Sequence, residues 1–189
     1  DKVAVFMEEH REEFLTPVPS EWEDRINYEE FLAEVKTAMV LKAWIEEASE
    51  DEIIEKFRVQ PGDLYRTVES AKWLLYTTHE LAVLFNNREA QPLTLELMER
   101  VEKGVKKELL PIVRLEGVGR VRGRILYNAG YKTIEDIKHA KIEELMNLPL
   151  IGPKLAKKIK EQVGGFVKKE TWEKLEEKEE WKQKALTEY

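Results

Sequence analysis

The sequence predicts an all-α protein in two parts, a helical bundle followed by a repeated helical hairpin. Three observations carry this. Apolar residues recur at three- and four-residue spacing through most of the first 110 residues, the period of helices with one buried face. Pro111 breaks the last of those helices. Beyond it, a Gly-containing basic segment occurs twice: LEGVGRVRGRIL from Leu115 to Leu126 and LPLIGPKLAKKI from Leu148 to Ile159. No sheet of consequence is expected. The bundle is placed at 1–110 and the tandem hairpin with a C-terminal helix at 111–189, two small domains within 189 residues.

In chain order, Lys2 to Phe14 is read as helical until Pro17 and Pro19 intervene. A helix starting near Tyr28 carries Tyr28, Phe31, Leu32, Val35 and Met39 as one buried stripe. Leu41, Trp44 and Ile45 widen it, and Trp44 is read as packing. Ser49 and Glu52 form a capping box for a short helix bearing Ile53, Ile54 and Phe57, which stops before Pro61-Gly62. Asp63 is read as the cap of a long helix reaching about Phe85. A helix from about Leu93 to Leu110 should bury Leu95, Met98, Val101, Val105 and Leu109, with Gly104 as a close contact or a kink. In the repeat, Gly130 is a C-cap, Thr133 with Asp136 starts one short helix, and Ile142 to Leu148 forms another. Gly164-Gly165 ends the repeat, and residues 166–189 read as a charged helix with Phe166, Trp172, Leu175 and Trp181 on an apolar edge.

Two stretches carry functional chemistry. On the long helix, 100° per residue puts Leu64, Val68, Ala71, Leu75 and Ala82 on the buried face. Arg66, Ser70, Trp73 and Thr77 then lie opposite. An indole there needs a partner, either a second protein layer or a stacked base, with Arg66 two turns away on a base or phosphate. Ser70 and Thr77 are small enough to let a strand pass. In the repeat, Leu115 aligns with Leu148, Val118 with Ile151, Gly119 with Gly152, Gly123 with Ala156 and Leu126 with Ile159. Gly117 and Gly119 allow a tight turn and close backbone approach. The helix that follows offers free N–H groups to an anion. Arg120, Arg122, Arg124, Lys154, Lys157, Lys158 and Lys160 add positive charge. The alternative is a packing hairpin with a solvated basic face. Leu150 stands where Gly117 stands in the first copy, which favours the first copy as the phosphate site.

Net charge is −7, yet residues 112–165 hold 11 basic and 6 acidic side chains, so positive charge collects where phosphate binding is expected. There is no Cys, which excludes disulfides and thiolate metal sites, and His10, His79 and His139 lack metal-ligand spacing. No apolar run reaches the length of a membrane span and no signal peptide opens the chain, which points to the cytosol and away from membrane partners. The start at Asp1 rather than Met suggests a piece of a longer protein.

The paired Gly-hairpins resemble the tandem helix-hairpin-helix domain of DNA repair and replication proteins. The run GDLYRTVESAKWLLYTTHELA, Gly62 to Ala82, resembles the long central helix of the archaeal Hjm-type repair helicases, in the Ski-type branch of superfamily 2. LEGVGRVRGRILYNAGY resembles the last domain of the same family, and the order agrees. The resemblance implies an ATP-driven 3′–5′ DNA helicase as parent, acting at forks and branched DNA in repair and recombination. It also implies a ratchet helix on which Trp73 and Arg66 hold successive bases of single-stranded DNA, and a final domain that grips the strand's tail. The implied partners are DNA and the motor domains of the same polypeptide. ATP and magnesium belong to that motor, because this chain has no GxxxxGK[ST] loop and no acidic metal-binding strand motif.

The candidate DNA contacts are therefore Arg66, Ser70, Trp73 and Thr77, then Gly117, Val118, Gly119, Arg120, Arg122 and Arg124, and Ile151, Gly152, Lys154, Lys157 and Lys158. No catalytic or metal site is expected. A helix-hairpin-helix glycosylase, lyase or nuclease would need an Asp or Lys just beyond the hairpin, or paired carboxylates, and Gly164-Gly165 follows without an Asp. A protein-binding scaffold is the other alternative. Gln183, Leu186 and Tyr189 have the spacing of a truncated sliding-clamp peptide lacking one aromatic.

Overall fold

A computed structural model describes residues 2–164. The expected C-terminal helix, Gly165 and the clamp-like Gln183, Leu186 and Tyr189 lie outside the described residues. The described chain is all-α and divides into two compact units, the first ending at Val105 and the second beginning at Lys106.

The first unit holds α1 (Lys2–Glu9), α2 (Arg25–Ile45), α3 (Glu50–Phe57), α4 (Pro61–Leu84) and α5 (Ala90–Lys103). Asp24 caps α2 by accepting from Asn27 N, so this helix begins three residues earlier than its apolar stripe suggested. The Ser49–Glu52 capping box opens α3 as expected, and Arg58 in the left-handed region closes it. Asp63 is not the cap of α4. The helix starts at Pro61, whose fixed φ and missing N–H suit a first position. Asp63 instead sits in the first turn and pairs with Arg66 at 2.6 Å.

The core is Val40, Ile53, Phe57, Leu64, Val68 and Val101, with Trp44, Ala71 and Leu75 packed against it. α4 and α5 form the most extensive helix pair. Gln91 Nε2 donates to Ala82 O at 3.3 Å, and His79 Nδ1 lies 3.0 Å from the Thr94 hydroxyl, tying the two helices.

The expected Leu93–Leu110 helix is a different object. It stops at Lys103, and Gly104 is its left-handed cap at φ 62° rather than an interior kink. A Cβ on Gly104 would lie under 3.0 Å from three atoms of the Trp44 indole, whose Nε1 donates to Val101 O at 2.8 Å. The chain turns here because only glycine allows the indole so close. Leu95, expected inside, is exposed. Val105 and Leu109 are buried, but both lie beyond the end of α5.

The second unit holds α6 (Leu110–Val113), α7 (Arg120–Asn128), α8 (Ile134–His139), α9 (Ile142–Met146) and α10 (Pro153–Gln162). Its start precedes the expected Pro111 because Leu109, Leu110, Ile112 and Val113 are all buried in it. A Cβ on Gly123 would meet Val113 Cγ1 at 2.8 Å, so the absence of one lets α7 close onto α6. Gly130, at φ 99°, follows the end of α7 as expected, and Tyr131 N reaches Leu126 O at 3.0 Å. Thr133 and Asp136 form a reciprocal capping box on α8. Among the described residues, no helix is long and apolar enough to cross a membrane.

Candidate nucleic-acid interface

Trp73 is 66% exposed although it lies on the longest helix of the described chain. Arg66, Ser70 and Thr77 fall within about 60° of it around the axis. Arg66 and Ser70 are exposed and Thr77 is half-buried, its hydroxyl donating to Trp73 O at 3.0 Å. The Arg66–Asp63 pair is a surface ion pair, the kind whose net contribution is small. Beside this face, α2 and α4 enclose an open groove of about 320 Å³ bordered by Thr37, Leu41, Arg66, Ser70 and Leu74. Ser70 and Arg66 thus border open space on the α2 side of this face. Sequence reasoning missed two neighbours: Tyr65 and Tyr76 are also exposed and flank Trp73 on the other side. Helical spacing carried the signal, since Tyr76 is three residues from Trp73.

The two hairpins share one backbone design. Val118 N donates to Leu115 O at 3.0 Å, and Ile151 N to Leu148 O at 3.2 Å. The third residue of each turn has positive φ, 85° at Gly117 and 60° at Leu150. Gly119 and Gly152 then cap α7 and α10 in matching extended conformations, φ −85° and −81°, with no side chain bonded across the first turn. A Cβ at either would meet nothing within 4 Å. Both helix starts thus open outward, with no side-chain cap over their first turns. Pro153 at the start of α10 removes one donor from the second hairpin. Leu150 projects its side chain, 62% exposed, from the second turn.

Several expected contacts need correction. Val118 and Ile151 are buried, and their N–H groups close the turns, so their side chains anchor the hairpins and face no ligand. Lys160 is 3% exposed, and its Nζ donates to the carbonyls of Ile137 (3.3 Å), Lys138 (2.6 Å) and Ala140 (2.6 Å). It neutralises the C-terminal end of α8, and burial pulls its pKa below the ordinary lysine value. Arg124 pairs with Glu108 at 2.9 Å and lies over the Tyr127 ring, and Lys158 pairs with Glu116. Arg122 donates to two main-chain carbonyls. Arg120 and Lys157 are half-buried, and Lys154 is exposed on the first turn of α10. Chemically, the hairpins offer backbone N–H groups and a few peripheral cations to an anion.

Comparison with known proteins agrees with both halves. Residues 1–104 match the family described as archaeal helicase, domain 4, and residues 108–164 match the SAM-like helix-hairpin-helix tandem. The ATP-dependent DNA helicase Hel308 of Pyrococcus abyssi is 45% identical over 146 residues, 77% of this chain and 20% of that protein. That of Methanocella arvoryzae is 41% identical over 159 residues, 84% and 21%. That of Aeropyrum pernix is 46% identical over 136 residues, 71% and 18%. This chain spans about a fifth of the length of these curated relatives. The class is thus an archaeal helicase domain followed by a tandem helix-hairpin-helix. The chain belongs to the archaeal Hel308-type helicase family, and its two matched segments are those of the C-terminal region.

Proposed function

We propose that this chain is the DNA-handling part of an ATP-dependent 3′–5′ DNA helicase of repair and recombination in the cytosol. It binds single-stranded DNA by stacking bases on Trp73 and by seating phosphates at the hairpins. The observation that carries this reading is the exposed indole two turns from an exposed arginine, on a helix face where Ser70 and Thr77 are small and Tyr65 and Tyr76 offer further exposed rings. Stacking tolerates any base, so the contact suits a strand in transit. While motor domains elsewhere in the polypeptide cycle, a base stacked on Trp73 resists back-slip. The ATP and magnesium of such a motor find no fit here: the glycine turn Gly117-Val118-Gly119 runs into Arg120-Val121, without the Lys-Ser/Thr that cradles a triphosphate and its metal. ATP hydrolysis is accordingly assigned to the rest of the polypeptide.

The test is anisotropy of a fluorescein-labelled oligothymidylate titrated with this chain and with Trp73→Ala. Stacking contributes about 1–3 kcal/mol per base, so the variant should bind about 5- to 150-fold more weakly. Equal affinity of the two proteins, with unchanged unfolding midpoints, refutes the stacking role.

A second feature favours a protein contact as well. Leu84, Phe85 and Leu93 are 75%, 77% and 64% exposed around the α4–α5 connection. An apolar patch of that kind marks an interaction surface, and we assign it to the remaining domains of the same polypeptide.

A further inference from the structure

We propose that Arg122 is a positioning residue, locking the two hairpins at one separation so that both engage the same nucleic-acid strand, and that it is not itself a phosphate contact. The inference rests on the reading that the hairpins bind phosphate. Its basis is where the guanidinium goes. Nε donates to Leu150 O at 2.9 Å and Nη1 donates to Gly117 O at 3.0 Å. These two carbonyls are equivalent: each belongs to the left-handed third residue of its own turn. One side chain therefore bridges the same point of both copies. The two-pronged edge that an arginine offers to phosphate is already occupied at Nε.

The second copy answers reciprocally. Leu155 occupies in α10 the position Arg122 occupies in α7, and its Cδ1 lies 2.7 Å from where a Cβ on Gly117 would sit. Gln162 clamps the first turn from the end of α10, accepting from Glu116 N at 2.7 Å and donating to Glu116 O at 3.2 Å. Lys158 adds an ion pair to the Glu116 side chain. Each copy thus holds the other's turn, and Arg122 is the charged link through which the first helix holds the second hairpin. The same bond explains how Leu150 keeps a backbone conformation that a residue with a Cβ rarely adopts: its carbonyl accepts from a fixed charged donor.

The experiment is a double-mutant cycle on this chain with a fluorescein-labelled oligothymidylate. Affinity is measured against salt for wild type, Arg122→Ala, Lys154→Ala and the double variant. Each single-strand phosphate contact contributes about 0.7 to the log–log salt slope. The expected result is that Lys154→Ala makes the slope about 0.7 shallower in the wild-type background and leaves it unchanged once Arg122 is gone, because the second hairpin is then already disengaged. Losses that simply add make Arg122 an independent phosphate contact and overturn the proposal. Arg122→Lys guards against loss of fold. It keeps the charge but not the span of the guanidinium, and it should show the same non-additivity with faster amide exchange at residues 150–154. Wild-type binding and slope in Arg122→Lys also overturn the proposal. No effect of Lys154→Ala in the wild-type chain removes the second hairpin from the phosphate reading while leaving the first in it, and the proposal falls because it needs both.

Discussion

Gly104→Ala should be among the most damaging single-methyl changes in the first unit. Two effects combine. Gly104 sits at φ 62°, ψ 48°, a conformation about 1–2 kcal/mol less favourable for a residue with a Cβ. The new methyl would also lie under 3.0 Å from Cε2, Cζ2 and Nε1 of Trp44. The indole must retreat to ordinary contact, roughly 3.5–4.0 Å, but it is held by the 2.8 Å bond from Nε1 to Val101 O and by the core around it. Overpacking of this kind costs about 1–3 kcal/mol, and breaking the hydrogen bond about another 1 kcal/mol. Reduced freedom of the unfolded chain offsets about 0.4–1 kcal/mol. The net loss is about 2–5 kcal/mol, a large share of the roughly 5–15 kcal/mol that holds a domain together. Urea unfolding followed by indole fluorescence and far-ultraviolet circular dichroism measures it. Gly62→Ala is the control: Gly62 lies in the first turn of α4 with nothing within 4 Å of a new Cβ, so that change should be neutral or slightly stabilising. A Gly104→Ala variant within about 0.5 kcal/mol of wild type would show that the indole is not fixed as described, since overpacking against it and the lost hydrogen bond exceed that.

Two further outcomes concern the second unit. Lys160→Met strips the charged donor from three carbonyls at the end of α8 and should destabilise the chain by about 1–3 kcal/mol; an unchanged melting curve contradicts the bridging role. The carboxylate of Asp136 is held below the ordinary aspartate range by its hydrogen bonds with the Thr133 side chain and amide. A depressed pKa gives a contribution that is complete above the ordinary aspartate range and is lost as pH falls through the folded value. Acid titration of the wild type should therefore lose stability in that window, and Asp136→Asn should flatten that part of the profile; identical acid limbs for the two proteins would remove the capping box from the account.

The sequence was most legible where geometry depends on local period or local chemistry. The Leu64, Val68, Ala82 stripe of α4, the Ser49 and Thr133 caps and the Gly130 terminus all follow from spacing within one turn or two. The place of Trp73 opposite that stripe followed from the same period, but spacing left open whether a second protein layer covers the indole, which is exposed. What escaped notice depends on distant partners. Whether Gly104 kinks a helix or ends it is decided by Trp44, 60 positions away. Charge type alone counted Lys160, Arg122, Arg124 and Lys158 as a phosphate-facing surface. Direction is set by the third dimension, and it turns Lys160 onto carbonyls, Arg122 onto the turns, and Arg124 and Lys158 onto carboxylates. The hairpins were recognisable from Gly119 and Gly152 because a helix that begins on an open glycine needs no remote partner to do so.

The exchange of supports between the two Gly-turns has a consequence for how this region can be dissected. The copies are not beads on a string. A polypeptide carrying only the first would lack Gln162 and Leu155 beneath its turn, and one carrying only the second would leave the Leu150 carbonyl without its guanidinium. Neither half is a transplantable module; any graft of these hairpins onto another protein has to carry the obligate pair, from Leu109 through Val163, as a single piece.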